Sequence, residues 1–206
     1  MAAESNGRRS ASRLQALVVY VEDRPGVLTR VASLFRRRSF NIASLTVGHT
    51  DQAGVSRMTI VMEGDDADAL RCEANLYRLV NVLRVENVTH LPSVQRDLAL
   101  VKVRCPASAR SELLQECDVF RARVIDVSPE AMIVEITGTE DKIEGLLDVL
   151  RPFGIIEMVR TGSVAMTRGA DAPSVNPHFV HATVSGGDSG QPDQQETGGQ
   201  GGTDVL

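Results

Sequence analysis

The sequence predicts an α+β protein made of two βαββαβ modules in tandem, with a polar segment at each end. Along the chain, the spacing of apolar residues alternates between the period of two typical of strands and the period of three to four typical of helices, in the same order twice. The order βαββαβ is that of the ferredoxin-like fold, in which two helices cover one face of a four-stranded antiparallel sheet.

The first module is predicted over residues 14–91. Its strands are expected at residues 14–21, 41–48, 56–62 and 81–91, and a polar turn with a glycine at each end, residues 48–54, joins the second strand to the third. The first strand has apolar side chains on both faces, which indicates a buried strand. One face carries Leu17, Val19 and Val21, and the other carries Val18 and Tyr20.

The first helix is predicted over residues 25–38, where apolar residues recur on one amphipathic face. These residues are Val27, Val31, Leu34 and Phe35. Arg36, Arg37 and Arg38 complement the negative end of the helix dipole, and they can be read as a solvated helix end or as a patch for a phosphate or a partner. The second helix is predicted over residues 65–79. We expect Asp65 or Asp66 to cap it, and its apolar face to come from Leu70, Ala74 and residues 76–80.

The second module is predicted over residues 96–169, after a join near residues 91–96 where Pro92 breaks the pattern. Strands are expected at residues 98–105, 123–127, 132–137, 155–159 and 162–166, and helices at residues 107–120 and 139–150. Ser108 or a neighbour is expected to cap the first helix and Thr139 the second. The second helix carries one apolar face, formed by Ile143, Leu146, Leu147 and Leu150.

The two end segments are predicted to be disordered. The leader, residues 1–13, lacks the apolar core of a signal peptide. The tail, residues 170–206, is rich in Gly, Ser, Asp, Gln and Pro and cannot bury enough apolar surface to offset its ordering entropy. The tail holds five acids and no Lys or Arg, and because the net charge of the chain is −5, the rest of the protein is neutral.

Composition argues against several functional classes. Aromatic residues make up only 3% of the chain and Trp is absent, which argues against a nucleic-acid module that stacks bases on aromatic side chains. A neutral body also lacks the basic surface of such a protein. No apolar run approaches the length of a membrane span. The three cysteines have no C-x-x-C spacing and indicate reduced thiols, so we expect a cytoplasmic protein.

No catalytic or metal site is predicted in this chain. The four histidines have no Cys or carboxylate at metal-ligand spacing, and the G-x-S-x-G, Walker and G-x-G-x-x-G motifs are absent. A stand-alone enzyme and an RNA-binding module remain as the alternatives to a binding protein. The RNA module requires exposed aromatic residues on its central strands, where this sequence has Met58, Ile60 and Leu100.

The turn in VEDRPGVLTR, residues 21–30, is the strongest candidate binding site. Gly26 has no side chain to cap the helix that follows, so N–H groups at the positive end of the helix dipole are available to a carboxylate or phosphate. Asp23 precedes this turn, and Asn41 begins the second strand with one acceptor and two donors. These groups match the carboxylate and ammonium of an amino acid. The alternative is that Pro25 and Gly26 only shape a tight turn and that Asn41 bonds locally.

Two long segments of the chain resemble a known family. EDRPGVLTRVASLFRRRSFNIASLTVG, SRMTIV and LVNVLRV resemble the ACT domain of the acetolactate synthase small subunit. DLALVKV, FRARVIDVSPEAMIVEITGTEDKIEGLLDVL and GIIEMVRTGSVAMTRG are similar to the C-terminal domain of the same family. The resemblance extends over about residues 14 to 169, which is the whole predicted folded part.

The resemblance implies a non-catalytic regulatory subunit of acetolactate synthase, in the biosynthesis of branched-chain amino acids. In that family a separate large subunit carries thiamine diphosphate, magnesium and FAD, so no cofactor is expected in this chain. The small subunit activates the large one and confers feedback inhibition, usually by valine, with leucine and isoleucine as alternatives. The effector binds at the interface of a homodimer formed by ACT domains. The positions implied to bind it are Asp23, Gly26, Val27, Asn41 and Ile42.

Two positions depart from the family pattern. Position 23 is often Asn in the family, and the carboxylate of Asp23 should favour the ammonium of the effector, with consequences for the preference among the three amino acids. Position 39 is usually Gly, and here it is Ser39. If that position requires a positive φ, the serine costs about 1 kcal/mol and can displace Asn41.

Overall fold

The structure, a computed structural model, describes residues 13–170 of the chain. The first module contains β1 (Arg13–Glu22), α1 (Val27–Arg38), β2 (Asn41–His49), β3 (Val55–Gly64), α2 (Asp66–Leu76) and β4 (Val82–Asn87). The second contains β5 (Ser93–Arg104), α3 (Arg110–Val119), β6 (Arg123–Val127), β7 (Ala131–Gly138), α4 (Glu140–Leu150), β8 (Ile155–Arg160) and β9 (Val164–Thr167). Apart from Arg13 and Ala170, the predicted leader and tail lie outside the described residues.

Each module is built on an antiparallel sheet, and the strand order is equivalent in the two. The first sheet has the order β2-β3-β1-β4 and the second has β6-β7-β5-β8, with β9 added beside β5. In the first sheet β1 pairs with β3 along its whole length, from Arg13 opposite Gly64 to Glu22 opposite Val55. The predicted α+β class with two ferredoxin-like modules is therefore confirmed.

Each module has its own hydrophobic core between its sheet and its helices. In the first core, Leu17, Val19 and Val21 of β1 pack with the predicted apolar face of α1. The second core contains the predicted apolar face of α4, namely Ile143, Leu146, Leu147 and Leu150. The period of the apolar residues thus correctly identified which side of these elements is buried.

The predicted apolar face of α2 is wrong at Leu70 and Val80 and right at Leu76. Leu70 is 64% exposed and Val80, which lies beyond the end of the helix, is 88% exposed. The buried residues are Ala69, Cys72 and Leu76, which lie on one side of the helix at the spacing i, i+3 and i+7. Position 70 lies about 100° around the helix axis from position 69, so the larger Leu70 side chain is turned toward solvent while the small Ala69 and Cys72 side chains face the sheet.

The helix caps differ from the predictions in the second module. Asp65 caps α2 as expected, and it forms a capping box in which it accepts from the Asp68 N–H at 2.8 Å. In return the Asp65 N–H donates to Asp68 Oδ2 at 3.2 Å, and this second bond, together with the neighbouring Arg71, lowers the pKa of the Asp68 carboxyl. In contrast, the N-cap residues of the second module, Ala109 of α3 and Thr139 of α4, form no side-chain capping bond.

The two modules are joined through β9, the last strand in residues 13–170. β5 begins five residues earlier than predicted, and its first four residues pair with β9. Ala165 of β9 is only 2% exposed, because it packs on the face of the first sheet that is turned away from the helices. Its neighbours there include Ala16, Val18 and Tyr20. The second module therefore covers the outer face of the first sheet.

The three cysteines are free and buried, as predicted. Burial raises the pKa of the Cys72 thiol to about 12 and that of the Cys117 thiol to about 11. Both thiols are therefore protonated near neutral pH and unreactive in the folded protein. Residues 13–170 contain no helix that is both long and apolar enough to cross a membrane.

Candidate functional site

The turn between β1 and α1 is open at the helix start. Gly26 is the N-cap residue of α1, with φ 83°, and no side chain forms a capping bond there. A Cβ placed on Gly26 would have no heavy atom within 4 Å, so the space in front of the helix is accessible to a ligand. Glycine is needed at this position because L-residues rarely adopt such a φ. The alternative, that Gly26 only shapes a tight turn, explains this φ but does not explain the open space in front of the helix.

The charge distribution along α1 favours an anion at this end. The first turn of the helix contains no acidic residue, and the last turn contains three arginines. The N-terminus of a helix carries a partial positive charge that stabilises a carboxylate or phosphate. The predicted carboxylate site at Gly26 therefore has both the room and the electrostatics for such a ligand.

The turn is held in place by a partly buried network of polar side chains that the sequence did not reveal. Asn81, which is 8% exposed, donates from Nδ2 to Glu22 Oε2 at 2.6 Å. Arg30 of α1 donates to the Asn81 Oδ1 atom. The end of β1, the first turn of α1 and the residue before β4 are thus connected. Asn81 is 51 residues from Arg30 and 59 from Glu22, so no local pattern could have indicated either hydrogen bond.

Asp23 lies beside the turn and has a partner that the sequence reasoning missed. Its Oδ2 atom lies 3.2 Å from Nδ1 of His49, at the end of β2. The Asp23 N–H also donates to the Gly54 carbonyl at 2.8 Å, which anchors the turn to the β2–β3 hairpin. The Asp23 side chain is 46% exposed, so a ligand ammonium can reach the carboxylate. No local sequence signal indicates His49, because its contact with Asp23 depends on how β1, β2 and β3 pair.

Asn41 and Ile42 do not join this group within one chain. Asn41 pairs with Glu63 at one end of β3, whereas Asp23 bonds to Gly54 just before the other end. Nine residues along a strand span about 30 Å. Of the remaining predicted site residues, Val27 is 4% exposed in the first core and Ile42 packs against it. The helix α1, about 18 Å long, also separates Gly26 from the start of β2, so a single chain cannot hold one amino acid between Gly26 and Asn41.

Ser39 has the positive φ that its position in the family pattern suggested. It is the C-cap residue of α1, with φ 57° and ψ 32°, and its N–H donates to the carbonyls of Arg36 and Phe35. This left-handed conformation costs a serine about 1 kcal/mol relative to a glycine. The strained residue lies two positions before Asn41.

The described residues contain no group of three or more His, Cys, Asp and Glu side chains that could hold a metal ion. The features of the candidate site are an open helix N-terminus, a carboxylate beside it and an amide at the far end of the same sheet.

Two family models match this chain, one for each module. Residues 17–84 match the AHAS small subunit-like ACT domain. Residues 96–169 match the model described as the small subunit of acetolactate synthase.

Relatives of known identity match along nearly their whole length. The probable acetolactate synthase small subunit of Archaeoglobus fulgidus is 48% identical over 153 residues, which cover 74% of this chain and 96% of that protein. The acetolactate synthase small subunit of Mycolicibacterium smegmatis is also 48% identical over 153 residues, covering 74% and 90%. The crystal structure of the acetolactate synthase small subunit from Thermotoga maritima superposes with a TM-score of 0.73 at 40% identity, and covers 77% of this chain and 99% of that one. This chain belongs to the acetolactate synthase small-subunit family.

Proposed function

We propose that this protein is the regulatory subunit that activates the large catalytic subunit of acetolactate synthase and makes it sensitive to a branched-chain amino acid. Valine is the expected effector, with leucine and isoleucine as alternatives. The observation that supports this proposal is the uncapped start of α1 at Gly26, in a module that matches an ACT domain. Thiamine diphosphate, magnesium and FAD are expected on the large subunit, and the complex is expected in the cytoplasm.

The effector's polar groups are matched by the two ends of the candidate site. The N–H groups at the start of α1 receive the carboxylate at the positive end of the helix dipole. The Val27 N–H among them also makes a long bond of 3.4 Å to the Arg24 carbonyl. The Asp23 carboxylate receives the ammonium, either in place of His49 or in addition to it. Both side chains of this pair are solvent-accessible. Asn41 supplies both a donor and an acceptor from a second copy of the chain.

The edge strand β2 explains how a second copy completes the site. Among the described strands β2 pairs only with β3, so its other edge is unpaired. An exposed strand edge is a template for pairing with another chain. If two copies of β2 pair antiparallel about Leu45, Asn41 of one copy lies opposite His49 of the other. Because His49 contacts Asp23, this symmetric arrangement brings the two halves of the site together and forms two sites per dimer.

The first test is a calorimetric titration of valine, leucine and isoleucine into the full-length protein without the large subunit. We expect at least one of the three to bind, at up to two molecules per dimer. The absence of binding by all three would overturn the effector assignment. The same protein, assayed alone with pyruvate, thiamine diphosphate, magnesium and FAD, should show no turnover; measurable turnover would contradict a regulatory role.

The second test addresses the shared site. Gly26→Asp and Asn41→Ala each damage both sites of a homodimer. In a mixed dimer of one Gly26→Asp chain and one Asn41→Ala chain, one site contains both substitutions and the other contains neither. We therefore expect the mixed dimer to bind one effector molecule with wild-type affinity. If the site lies within a single chain, the mixed dimer has no intact site and binds none with that affinity.

A further inference from the structure

We propose that three arginines at the ends of α1 and α2 form the surface on which carboxylates of the large catalytic subunit dock. This basic patch consists of Arg37, Arg38 and Arg78. The inference rests on the proposed function, because that function supplies the partner, but the patch itself is separate from the effector site at Gly26.

The basic patch borders a cleft on the helical side of the first module. The cleft has a volume of about 370 Å3 and lies between the last turn of α1 and the residues at the end of α2. It is lined by Leu34, Arg37, Arg38, Asn75, Arg78 and Leu79, and none of these residues is acidic. Since the cleft lies between the helices and not at the edge of the sheet, pairing of two β2 strands leaves it open.

The charges of the basic patch are not compensated within the part of the chain that the structure describes. None of the three arginines has an ion-pair partner there, whereas Arg71 has one and Arg160 has two. The negative end of the α1 dipole amounts to about half a charge, which is less than the charge of even one arginine. The basic patch is therefore available to pair with the carboxylates of an acidic partner.

The chemistry of the cleft favours carboxylates of a protein surface over a small anion. Small-anion sites depend on free backbone N–H groups, and here the Arg78 N–H donates to the Asn75 carbonyl at 3.2 Å and the Leu79 N–H to the Leu76 carbonyl at 3.0 Å. The donors that remain are the three guanidinium groups, on exposed side chains, and the Asn75 amide, which already donates to the Arg71 carbonyl. The planar guanidinium forms paired hydrogen bonds with a carboxylate. Residues 1–169, which include the basic patch, have no net charge, and this argues against a nucleic acid as the partner.

The position of the basic patch also connects it to the effector site. α1 extends from the open turn at Gly26 to Arg38, so the two sites lie at opposite ends of one helix of 12 residues. Such a helix is about 18 Å long and acts as a rigid element. A displacement of its first turn by the effector is therefore transmitted to the docking surface.

The test compares two double charge reversals in the full-length protein. The variant Arg37→Glu/Arg38→Glu changes the basic patch, and the control Arg121→Glu/Arg168→Glu makes the same change of charge at exposed positions of the second module that have no ion-pair partner among the described residues. Affinity is measured by titrating the large subunit of the same organism with each variant and following enzyme activation. We expect the patch variant to bind at least about tenfold more weakly and to lose most of the salt dependence of binding, with the control near wild type.

Three results would overturn the inference. They are unchanged affinity in the patch variant, an equal loss in the control, and binding of inorganic phosphate that depends on the three arginines. Arg37→Gln/Arg38→Gln serves as a second variant, because glutamine lacks the charge repulsion that glutamate introduces at the end of α1. Calorimetry with valine separates this test from the proposed function, because the patch variant should bind valine like the wild type. If the wild type binds no effector, the affinity of each variant for the large subunit still tests the docking surface.

Discussion

The two modules share one sheet order but differ at the turn from their first strand into their first helix. In the first module this turn ends at Gly26, with φ 83° and no acid in the first helical turn. In the second it ends at Ala109, with φ −94° and Glu112 in the first turn of α3. A carboxylate at the second position would meet a like charge and a Cβ. Equivalent topology therefore supports an anion site in only one module, because the turn residues decide it.

The outer faces of the two sheets differ as well. The first sheet is covered by β9, so residues on that side of β1 and β3 are buried, including Ala16, Val18 and Val55. In the second module the edge strand β8 remains open, with Ile156 51% and Val159 58% exposed. The first module is thus stabilised by the second as well as by its own core, so we expect residues 13–170 to unfold as one cooperative unit.

The largest effect is expected from Ala165→Asp, which places a carboxylate between the modules. Burying an unpaired charge at a position that is 2% exposed should lower the free energy of unfolding by about 3 kcal/mol or more. Met166→Asp is the matched control, since that neighbour is 68% exposed, and it should change stability by less than about 0.5 kcal/mol. Urea denaturation followed by circular dichroism measures both.

Thiol labelling under partial denaturation shows whether Ala165→Asp separates the modules. Cys72 reports on the first module, and Cys105 and Cys117 on the second. In the wild type we expect all three to become reactive over the same urea range. In the variant Cys72 should react first. Coincident labelling in the variant would mean that β9 does not couple the two modules.

The next effect concerns the open turn of the first module. Gly26→Asp places a carboxylate against that of the effector, and losing charge-assisted contacts costs about 1.5–3 kcal/mol, or roughly tenfold to a hundredfold in affinity. Gly26→Ala is the control, because it introduces the same backbone strain without the charge, and it should weaken binding less. Inhibition should weaken while activation of the large subunit persists. Loss of both in a folded, dimeric Gly26→Asp protein would contradict the site.

A smaller effect is expected from Asp23→Asn, which restores the residue often found in the family. The carboxylate is nearly half exposed, so its contribution is that of a screened ion pair, about 0.5–1 kcal/mol. Effector affinity should fall by about threefold, and the preference among valine, leucine and isoleucine should change. Calorimetry with the three amino acids measures this. An increase in affinity would show that Asp23 repels the effector carboxylate more than it attracts the ammonium.

The smallest effect is expected from Ser39→Gly at the end of α1. Glycine adopts the observed φ of 57° without strain, so the free energy of unfolding should rise by about 0.5–1 kcal/mol. Ala32→Gly lies in the exposed interior of the same helix and should lower it by about 1 kcal/mol. Thermal unfolding of the two variants distinguishes relief of strain from a general effect of glycine. Destabilisation by Ser39→Gly would show that the serine is not strained.

Local patterns in the sequence were sufficient for the elements, their order and most buried faces. Strand and helix periods depend on neighbouring residues, so Leu17, Val31 and Leu146 could be assigned to the cores without the structure. The pattern failed in α2, where small residues such as Ala69 face the sheet and the larger Leu70 does not. The open turn at Gly26 was also readable, because a missing cap is a local property.

Contacts between distant residues were decided only by the tertiary structure. The cover that β9 places over the first sheet, the network of Glu22, Arg30 and Asn81, and the contact between Asp23 and His49 join residues far apart in sequence. The separation of Asn41 from Asp23 by about 30 Å along the sheet follows from strand register. The sequence alone determined which groups are available to bind an amino acid, and the register determined that one chain cannot bring them together, because pairing between strands depends on the whole sheet.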